Sequence, residues 1–420
     1  MASFTILTLG CRANQADSEA LSRLLQGAGW RLNPVGQGAE VGIVNTCTVT
    51  AEADRKARQM VRRLLKSCQL VVVTGCGAAP KGGLAQSVAQ WERVILLPPR
   101  ERERILEYLP KPLRLSPPIP APKTRARALL KVQEGCNHMC TFCIVPLVRG
   151  PLRSWKGEEL LPQVERLQGE GYREIVLTGT HLALWGRDSA SKLEARAKGR
   201  EAPNFAQLVE YLIKHTQDVR YRVSSIEPMA FPRPLLELMA AYPERLCPHL
   251  HLVLQHASDK ILRAMGRDYT LAQYDSLVGE FLERVPGGVL TTDILLGFPG
   301  EEESDLEILE DYLRRRPFYH LHVFPYSPRP GTVASTLPQQ VPEALKRERV
   351  GRVIALGEEC SHKVYDSFVG TERPILVERL SANDPQRVVG TADNFLTVEI
   401  PGSSSDLGRM VTRTIPRRLL

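Results

Sequence analysis

The chain lacks any long apolar run, and no uninterrupted stretch comes near the ~18 to 20 residues that a membrane-spanning helix needs. An integral helical membrane protein is thereby excluded. Charge of one sign is not in large excess: 55 Lys and Arg against 47 Asp and Glu leave +8, which is compatible with an anionic partner and far from a polycationic binder. The opening residues, MASFTILTLGCRANQ, show neither a basic leading segment nor a small-residue cleavage site, so the expectation is a cytoplasmic protein. No internal repeat of fixed period and no extended low-complexity tract is present, which sets solenoid architectures aside. What the chain does have is length, with 420 residues giving a prior of about two or three domains, and an odd count of nine cysteines. In a long chain expected to be cytosolic, such cysteines suit metal ligands or core positions better than a disulfide framework.

From Phe4 to about Val94, short apolar runs alternate with helical stretches. FTILTL, VGIVN, LVVVTG and RVILL read as strands, and helices are expected near Asp17 to Leu25 and Ala53 to Lys66. Such alternation argues for a mostly parallel sheet covered by helices, a Rossmann-like α/β domain over residues 1–109. Pro110 to Ala126 carries six prolines and reads as a stiff linker, 110–126. From Leu129 the alternation resumes with ALLKVQ, EIVLTG, YRVSSIE, HLHLVLQ, VLTTDILLG and YHLHVFPY. Six successive β/α units predict an open, partial (β/α)6 barrel over 127–340, with its chemistry at the C-terminal strand ends. The polar insert from Arg187 to Ala202 has no apolar face and is expected to be a surface loop. A connecting helix is expected within 341–364, and four short runs in 365–420 predict a small antiparallel β-barrel.

Cys136, Cys140 and Cys143 lie in EGCNHMCTFC, directly after the first barrel strand. Three thiolates in one loop can hold one soft metal centre, either an iron-sulfur cluster or a structural zinc completed by His138 or another residue. In a 4Fe-4S cluster, three thiolates leave one iron open to a substrate or cofactor. Cys11 in LGCRANQ, Cys47 in NTCTV and Cys76 in TGCGA are far apart in sequence, yet each follows directly on a predicted strand. The C-terminal ends of strands in an open parallel sheet share one edge, so these three can converge into a second three-thiolate site. Cys68, Cys247 and Cys360 share no such position and read as structural.

These motifs, with EIVLTGTHL, SSIEP, TDILLGFPGE and HVFPYSPRPGT, resemble the methylthiotransferases of the radical S-adenosylmethionine superfamily. The resemblance implies two 4Fe-4S clusters and S-adenosylmethionine as cofactors. The Cys136, Cys140, Cys143 cluster would bind S-adenosylmethionine at its open iron and reduce it to a 5′-deoxyadenosyl radical, and the Cys11, Cys47, Cys76 cluster would bind or donate the inserted sulfur. The final barrel resembles a TRAM domain, an RNA-binding module. NTCTVTAEAD, LTGTHLALWG, SSIEP and HVFPYSPRPGT look most like the branch that methylthiolates C2 of N6-threonylcarbamoyladenosine at position 37 of tRNA. Implied partners are the tRNA anticodon stem-loop, a reducing partner such as flavodoxin or ferredoxin, and a sulfur donor. The alternatives are the same chemistry on isopentenyladenosine in tRNA or on an aspartate of a small-subunit ribosomal protein, and, remotely, a non-catalytic RNA-binding zinc protein. Two stretches depart from the family pattern: LVLQHASD stands where LPLQSGSD is usual, and TGCGAAP where TGC is usually followed by an aromatic or small residue and AQ.

The barrel logic also selects residues for cofactor or substrate contact: Thr178, Gly179 and His181 after the second strand, Ser225 and Glu227 on the third, Gln255 on the fourth, and Asp293 and Gly297 on the fifth. Turn and cap roles are the competing reading. Arg149 and Arg153, after the cluster loop, either pair with a carboxylate or phosphate or lie on the surface. Arg55, Arg58, Arg62 and Lys66 line one face of a predicted helix, and Arg409, Arg413, Arg417 and Arg418 gather near the C-terminus. Both sets are RNA-backbone candidates, against the alternative of solvated surface.

Overall fold

The computed structural model describes residues 2–110 and 125–418, so the proline-rich linker lies almost wholly outside the described residues. The chain divides into two compact units. The first comprises Met1–Lys123, Glu134–Leu152 and Ser327–Thr336; the second comprises Thr124–Gln133, Arg153–Tyr326 and Leu337–Leu420.

The first unit is built on β1 (Ser3–Thr8), α1 (Arg12–Gly27), β2 (Arg31–Leu32), β3 (Val41–Thr46), α2 (Ala51–Leu65), β4 (Leu70–Gly75) and β5 (Val94–Leu96). The strands form a parallel sheet in the order β2-β1-β3-β4-β5. Every residue of β3 is buried, as are Val71, Val72 and Val73 of β4, because helices cover both faces of a parallel sheet. Thr50 caps α2 by accepting from the Ala53 N–H, with Glu52 and Asp54 in its first turn and Arg62 and Arg63 in its last, each matched to the helix dipole. In this strand order the chain reverses direction across the sheet between β1 and β3. Ligand sites of open α/β sheets form outside the strand C-termini at that point.

The second unit contains six parallel barrel strands: Ala128–Lys131, Glu174–Thr178, Arg220–Val223 continued by Ser225–Ile226, His249–Leu252, Val289–Leu296 and Phe318–Pro325. The third strand is broken at Ser224: its first half pairs with the second strand and its second half with the fourth. A large apolar core joins these strands to the surrounding helices. Helices Phe205–His215 and Leu271–Arg284 begin in capping boxes set by Asn204 with Gln207 and Thr270 with Gln273. The insert expected to be a loop between Arg187 and Ala202 instead contains a helix, Ser189–Ala197, started by Asp188 accepting from the Ser191 N–H. Only Ala195 of it is buried, so no apolar stripe announced it; its cap and helix-forming composition suffice.

After the long helix Glu343–Asp366 come four antiparallel strands, ordered Thr397–Pro401, Arg387–Ala392, Glu372–Leu380, Met410–Thr414. This sheet packs on the N-terminal ends of the barrel strands. Its core residues Ile375, Val377 and Val398 share a cluster with Val289 and Tyr319, which begin the fifth and sixth strands. Phe395 stacks on His249 at 4.2 Å between ring centroids, and Arg222 donates to the Ala392 carbonyl at 3.0 Å. Beneath these contacts Glu174, fully buried, bonds Arg222 and Arg220, each at 2.6 Å, with Arg127 at 3.7 Å. Burial alone would raise the Glu174 carboxyl pKa, but the three guanidinium groups hold it far below the carboxylate range.

Candidate functional site

In the first unit, Cys11 stands at the N-cap of α1 just beyond β1, Cys47 follows β3 directly, and Cys76 follows β4 directly. The sheet therefore brings all three predicted cysteines to one edge, across the β1/β3 reversal. Glycine clears the space between them. A side chain on Gly10, at φ +122°, would place its Cβ 3.0 Å from the Cys47 Cβ and 2.7 Å from Asn14 Nδ2. The thiols influence one another. Burial, then the neighbouring Cys76, pushes the Cys47 pKa up to about 12 against the opposing Val49 N–H, which lies 3.5 Å from its sulfur. Burial likewise raises Cys76, partly offset by Arg149. Thiols so placed are poor free nucleophiles, and ligation to a cationic centre is what deprotonates them.

Arg149 is 2% exposed and settles its own two readings in favour of pairing. Its Nε donates to Cys76 Sγ at 3.2 Å, Nη1 to Glu134 at 2.8 Å, and Nη2 to Asp17 at 3.2 Å and to Asn14. Arg102 binds the same carboxylates, bidentate to Glu134 at 3.0 Å and within 3.4 Å of Asp17. Two cations thus face two carboxylates beside a sulfur, and one N–H points at that sulfur. Asp17, Glu134, Arg102 and Asn14 were invisible to sequence reasoning, because nothing local marks them as members of one cluster with Arg149, and Asn14 and Asp17 stand more than a hundred positions from it. Arg153, by contrast, is exposed and lies over Trp155.

Cys136, Cys140 and Cys143 are half-buried in the loop Glu134–Leu152 of this unit. The Cys136 N–H donates to Gly150 O, the His138 N–H points at Cys136 Sγ at 3.3 Å, and the Cys143 N–H donates to Cys140 O. These contacts fold the loop back on itself, with all three thiols on one short stretch. Both triplets offer three soft sulfur donors with N–H groups directed at sulfur, and both fit a thiolate-bound iron-sulfur centre. Cys68, Cys247 and Cys360 are buried.

In the second unit, Thr178 ends the second strand, buried, and the turn after it is held by Gln133 Oε1, which accepts from the Thr180 and His181 N–H groups at 2.7 Å each. A Cβ on Gly179 would press on that amide at 2.9 Å. Gln133 is the residue sequence reasoning missed here. Ser225 is exposed, and Glu227 is bound by the buried Arg267. Gln255 occupies the left-handed region at φ +67°; its N–H donates to Asp293 O and its carbonyl accepts from Leu295, both at 2.8 Å. A non-glycine residue there is uncommon and is held by those two bonds. Gly297, at φ +73°, donates to Glu301 Oε2 at 2.8 Å. Asp293 lies deeper than expected, inside the strand that ends at Leu296. The departure at LVLQHASD also has a structural role: His256, fully buried, accepts from the Ser258 N–H at 3.0 Å.

Of the RNA candidates, Arg55 is exposed but bidentate to Glu52 at 2.6 Å, Arg58 is half-buried, and Arg62 is exposed and packs over Trp91 at 5.3 Å. Arg409, Arg413 and Arg417 are exposed and, among the described residues, not ion-paired, whereas Arg418 stacks on Tyr365 at 4.5 Å. No helix among the described residues is long and apolar enough to cross a membrane.

Comparison with known proteins matches residues 130–313 to the Radical SAM superfamily and residues 3–96 to Uncharacterized protein family UPF0004. The chain is 33% identical to threonylcarbamoyladenosine tRNA methylthiotransferase MtaB of Bacillus subtilis, over 98% of this chain and 93% of that protein. It is also 33% identical to tRNA-2-methylthio-N(6)-dimethylallyladenosine synthase of Moorella thermoacetica, over 99% of this chain and 96% of that protein. Among solved structures, the radical S-adenosylmethionine methyltransferase TsrM from Kitasatospora setae superposes with a TM-score of 0.55 at 14% identity, covering 86% of this chain and 89% of that one. That likeness supports the α/β fold. With matches of this length and identity, the chain belongs to the radical S-adenosylmethionine methylthiotransferase family, enzymes that use S-adenosylmethionine and a 4Fe-4S cluster.

Proposed function

We propose that this enzyme methylthiolates C2 of N6-threonylcarbamoyladenosine at position 37 of tRNA, and that it does so with two 4Fe-4S clusters. The observation that carries the two-cluster reading is the pair of three-thiol sets, one at the β1/β3 edge and one in the Glu134–Leu152 loop. Each lacks a fourth cysteine and so leaves one iron for a non-protein ligand. Cys136, Cys140 and Cys143 hold the cluster that binds S-adenosylmethionine; Cys11, Cys47 and Cys76 hold the one that presents sulfur. Once bound, these groups supply the electron that cleaves S-adenosylmethionine and the sulfur that is inserted, chemistry that no side-chain base offers at an unactivated adenine C2–H.

The chain's own residues position and shield. Arg149 neutralises sulfur charge at Cys76 and locks the loop that carries it to Asp17 and Glu134. Thr178, Gly179, His181, Ser225, Glu227, Gln255 and Gly297 stand at or beyond the open ends of the barrel strands, where a cofactor nucleoside would lie. The antiparallel C-terminal sheet, read as a TRAM-like module, contributes Arg409, Arg413 and Arg417 to an RNA surface; α2 contributes Arg58 and Arg62. An external reductant and a sulfur donor complete the reaction.

Threonylcarbamoyladenosine is preferred over isopentenyladenosine because NTCTVTAEAD, LTGTHLALWG and HVFPYSPRPGT resemble the former branch. Two anticodon stem-loops differing only in that N6 substituent test the choice: mass analysis should show a methylthio mass gain on the threonylcarbamoyl RNA. Gain on the isopentenyl RNA alone overturns it. Cys140→Ala should abolish reductive cleavage of S-adenosylmethionine, while Cys47→Ala should retain cleavage and lose methylthiolation. Iron near eight per chain should fall to about four when Cys11, Cys47 and Cys76 are all replaced.

A further inference from the structure

Three neighbouring barrel strands place His251, Asp293 and His322 on one face. Asp293 and His322 are direct register partners, and His251 is opposite Thr291, two residues before Asp293 and hence on the same side of the sheet. Their ligand atoms all lie within 4.8 Å of one another. His251 Nε2 stands 3.1 Å from Asp293 Oδ1, and the two imidazole centroids are 5.4 Å apart. Thr291 Oγ1 engages His251 Nδ1 at 2.9 Å and His249 Nε2 at 2.9 Å, which fixes the His251 ring and reserves Nε2 for something else. The His251 side chain is 9% exposed, and its buried Nε2, although near the carboxylate, makes no aligned hydrogen bond.

A carboxylate with two imidazoles is an electron-rich set whose complement is a cation. The spacing suits one ion: neighbouring ligands about 2.1 Å from a metal stand roughly 3.0 Å apart at right angles and roughly 3.4 Å apart in a tetrahedron. Side chains of His251 and Asp293 already meet that separation, and the His322 ligand atom lies within 4.8 Å of both. Two nitrogens and one oxygen select a borderline divalent ion such as zinc, iron(II) or manganese over calcium or copper(I). Asp293 is 27% exposed, so the set has an open side for further ligands.

We propose that His251, Asp293 and His322 bind one divalent transition-metal ion in a two-histidine, one-carboxylate site separate from the cysteine triplets, with Thr291 orienting His251. The assignment holds whichever tRNA base is modified.

The test uses the anaerobic holoenzyme with its iron-sulfur content measured, dialysed against micromolar zinc or manganese and analysed for metal per chain. Wild type should take up one zinc beyond its iron. His322→Ala and Asp293→Asn should weaken that uptake at least about tenfold at unchanged iron and sulfide, and Thr291→Val should weaken it by roughly 10- to 100-fold as a ligand-orienting residue does. Should a variant misfold, wild-type protein loaded with manganese answers alone: pulsed EPR should show coupling to two imidazole nitrogens. No uptake beyond iron, equal uptake in wild type and folded variants, or manganese without nitrogen coupling overturns the proposal.

Discussion

Replacing Arg149 by Met removes one cation from a buried set of two arginines and two carboxylates, with Arg102 still facing Asp17 and Glu134. The set then carries an uncompensated negative charge against Cys76. Breaking one partner out of a buried ion pair typically costs about 3–5 kcal/mol. For a unit of this size each kcal/mol lowers the melting temperature by roughly 2–4 °C, so a fall on the order of 10 °C is expected. The assay is thermal unfolding by circular dichroism beside iron and sulfide analysis, with iron loss tracking the melt because Arg149 touches one cysteine and closes the loop bearing three others. The double variant Arg149→Met, Asp17→Asn should recover part of the loss, since Arg102 and Glu134 then remain as a balanced pair. A melting temperature for Arg149→Met within about 1–2 °C of wild type, with iron retained, would refute the electrostatic account.

Two further outcomes follow from the geometry. His256 is held near pKa 4 by burial first, with Arg349 and Lys260 adding to the effect and Asp305 opposing it. The unfolded chain takes up a proton as pH falls through 6.5, and the folded chain does not until about pH 4. Stability is therefore lost on acidification across that window, by up to about 3 kcal/mol. His256→Asn, whose Oδ1 can still accept from the Ser258 N–H, should lose less stability between pH 7 and 4 in urea unfolding, and a difference independent of pH would disprove the assignment. On α2, Arg58→Ala and Arg62→Ala should each lower the salt dependence of RNA binding by roughly 0.7–0.9 in slope. Arg55→Ala should change it less, because Glu52 already neutralises that side chain; equal effects would remove the helix from the RNA surface.

Much of this molecule could be read from its sequence for a simple reason: parallel strands covered on both faces are continuous apolar runs, and each cysteine of the first triplet is the residue, or within a few residues, that follows one. LVVVTGC shows strand, turn and strand-end cysteine in seven letters. The break at Ser224 was not legible, because YRVSSIE is apolar enough for one strand and only partner geometry splits it. Nor was the burial of Arg149, which in sequence is one basic residue among 55. Its environment is assembled from residues 14, 17, 76, 102 and 134, pairings that exist only after the sheet has formed. The segment Ser327–Thr336 carries no pattern assigning it to the first unit, yet Arg329 binds Thr48 at 3.0 Å and the buried Asp54.

The ion cluster around Glu174 has a consequence for how the C-terminal sheet behaves. Arg220 and Arg222 rise from the barrel's own strands, pair with Glu174, and each give one further bond to that sheet, to the Pro374 and Ala392 carbonyls. The sheet is thus the floor of the barrel and cannot swing as a tethered appendage would. A polymer gripped there is held at a fixed span from the open rim, roughly 26 Å for the eight residues Val289–Leu296 at about 3.3 Å each. Cutting the chain after the long helix would remove that gauge and, in the same stroke, uncover guanidinium groups that have no other roof.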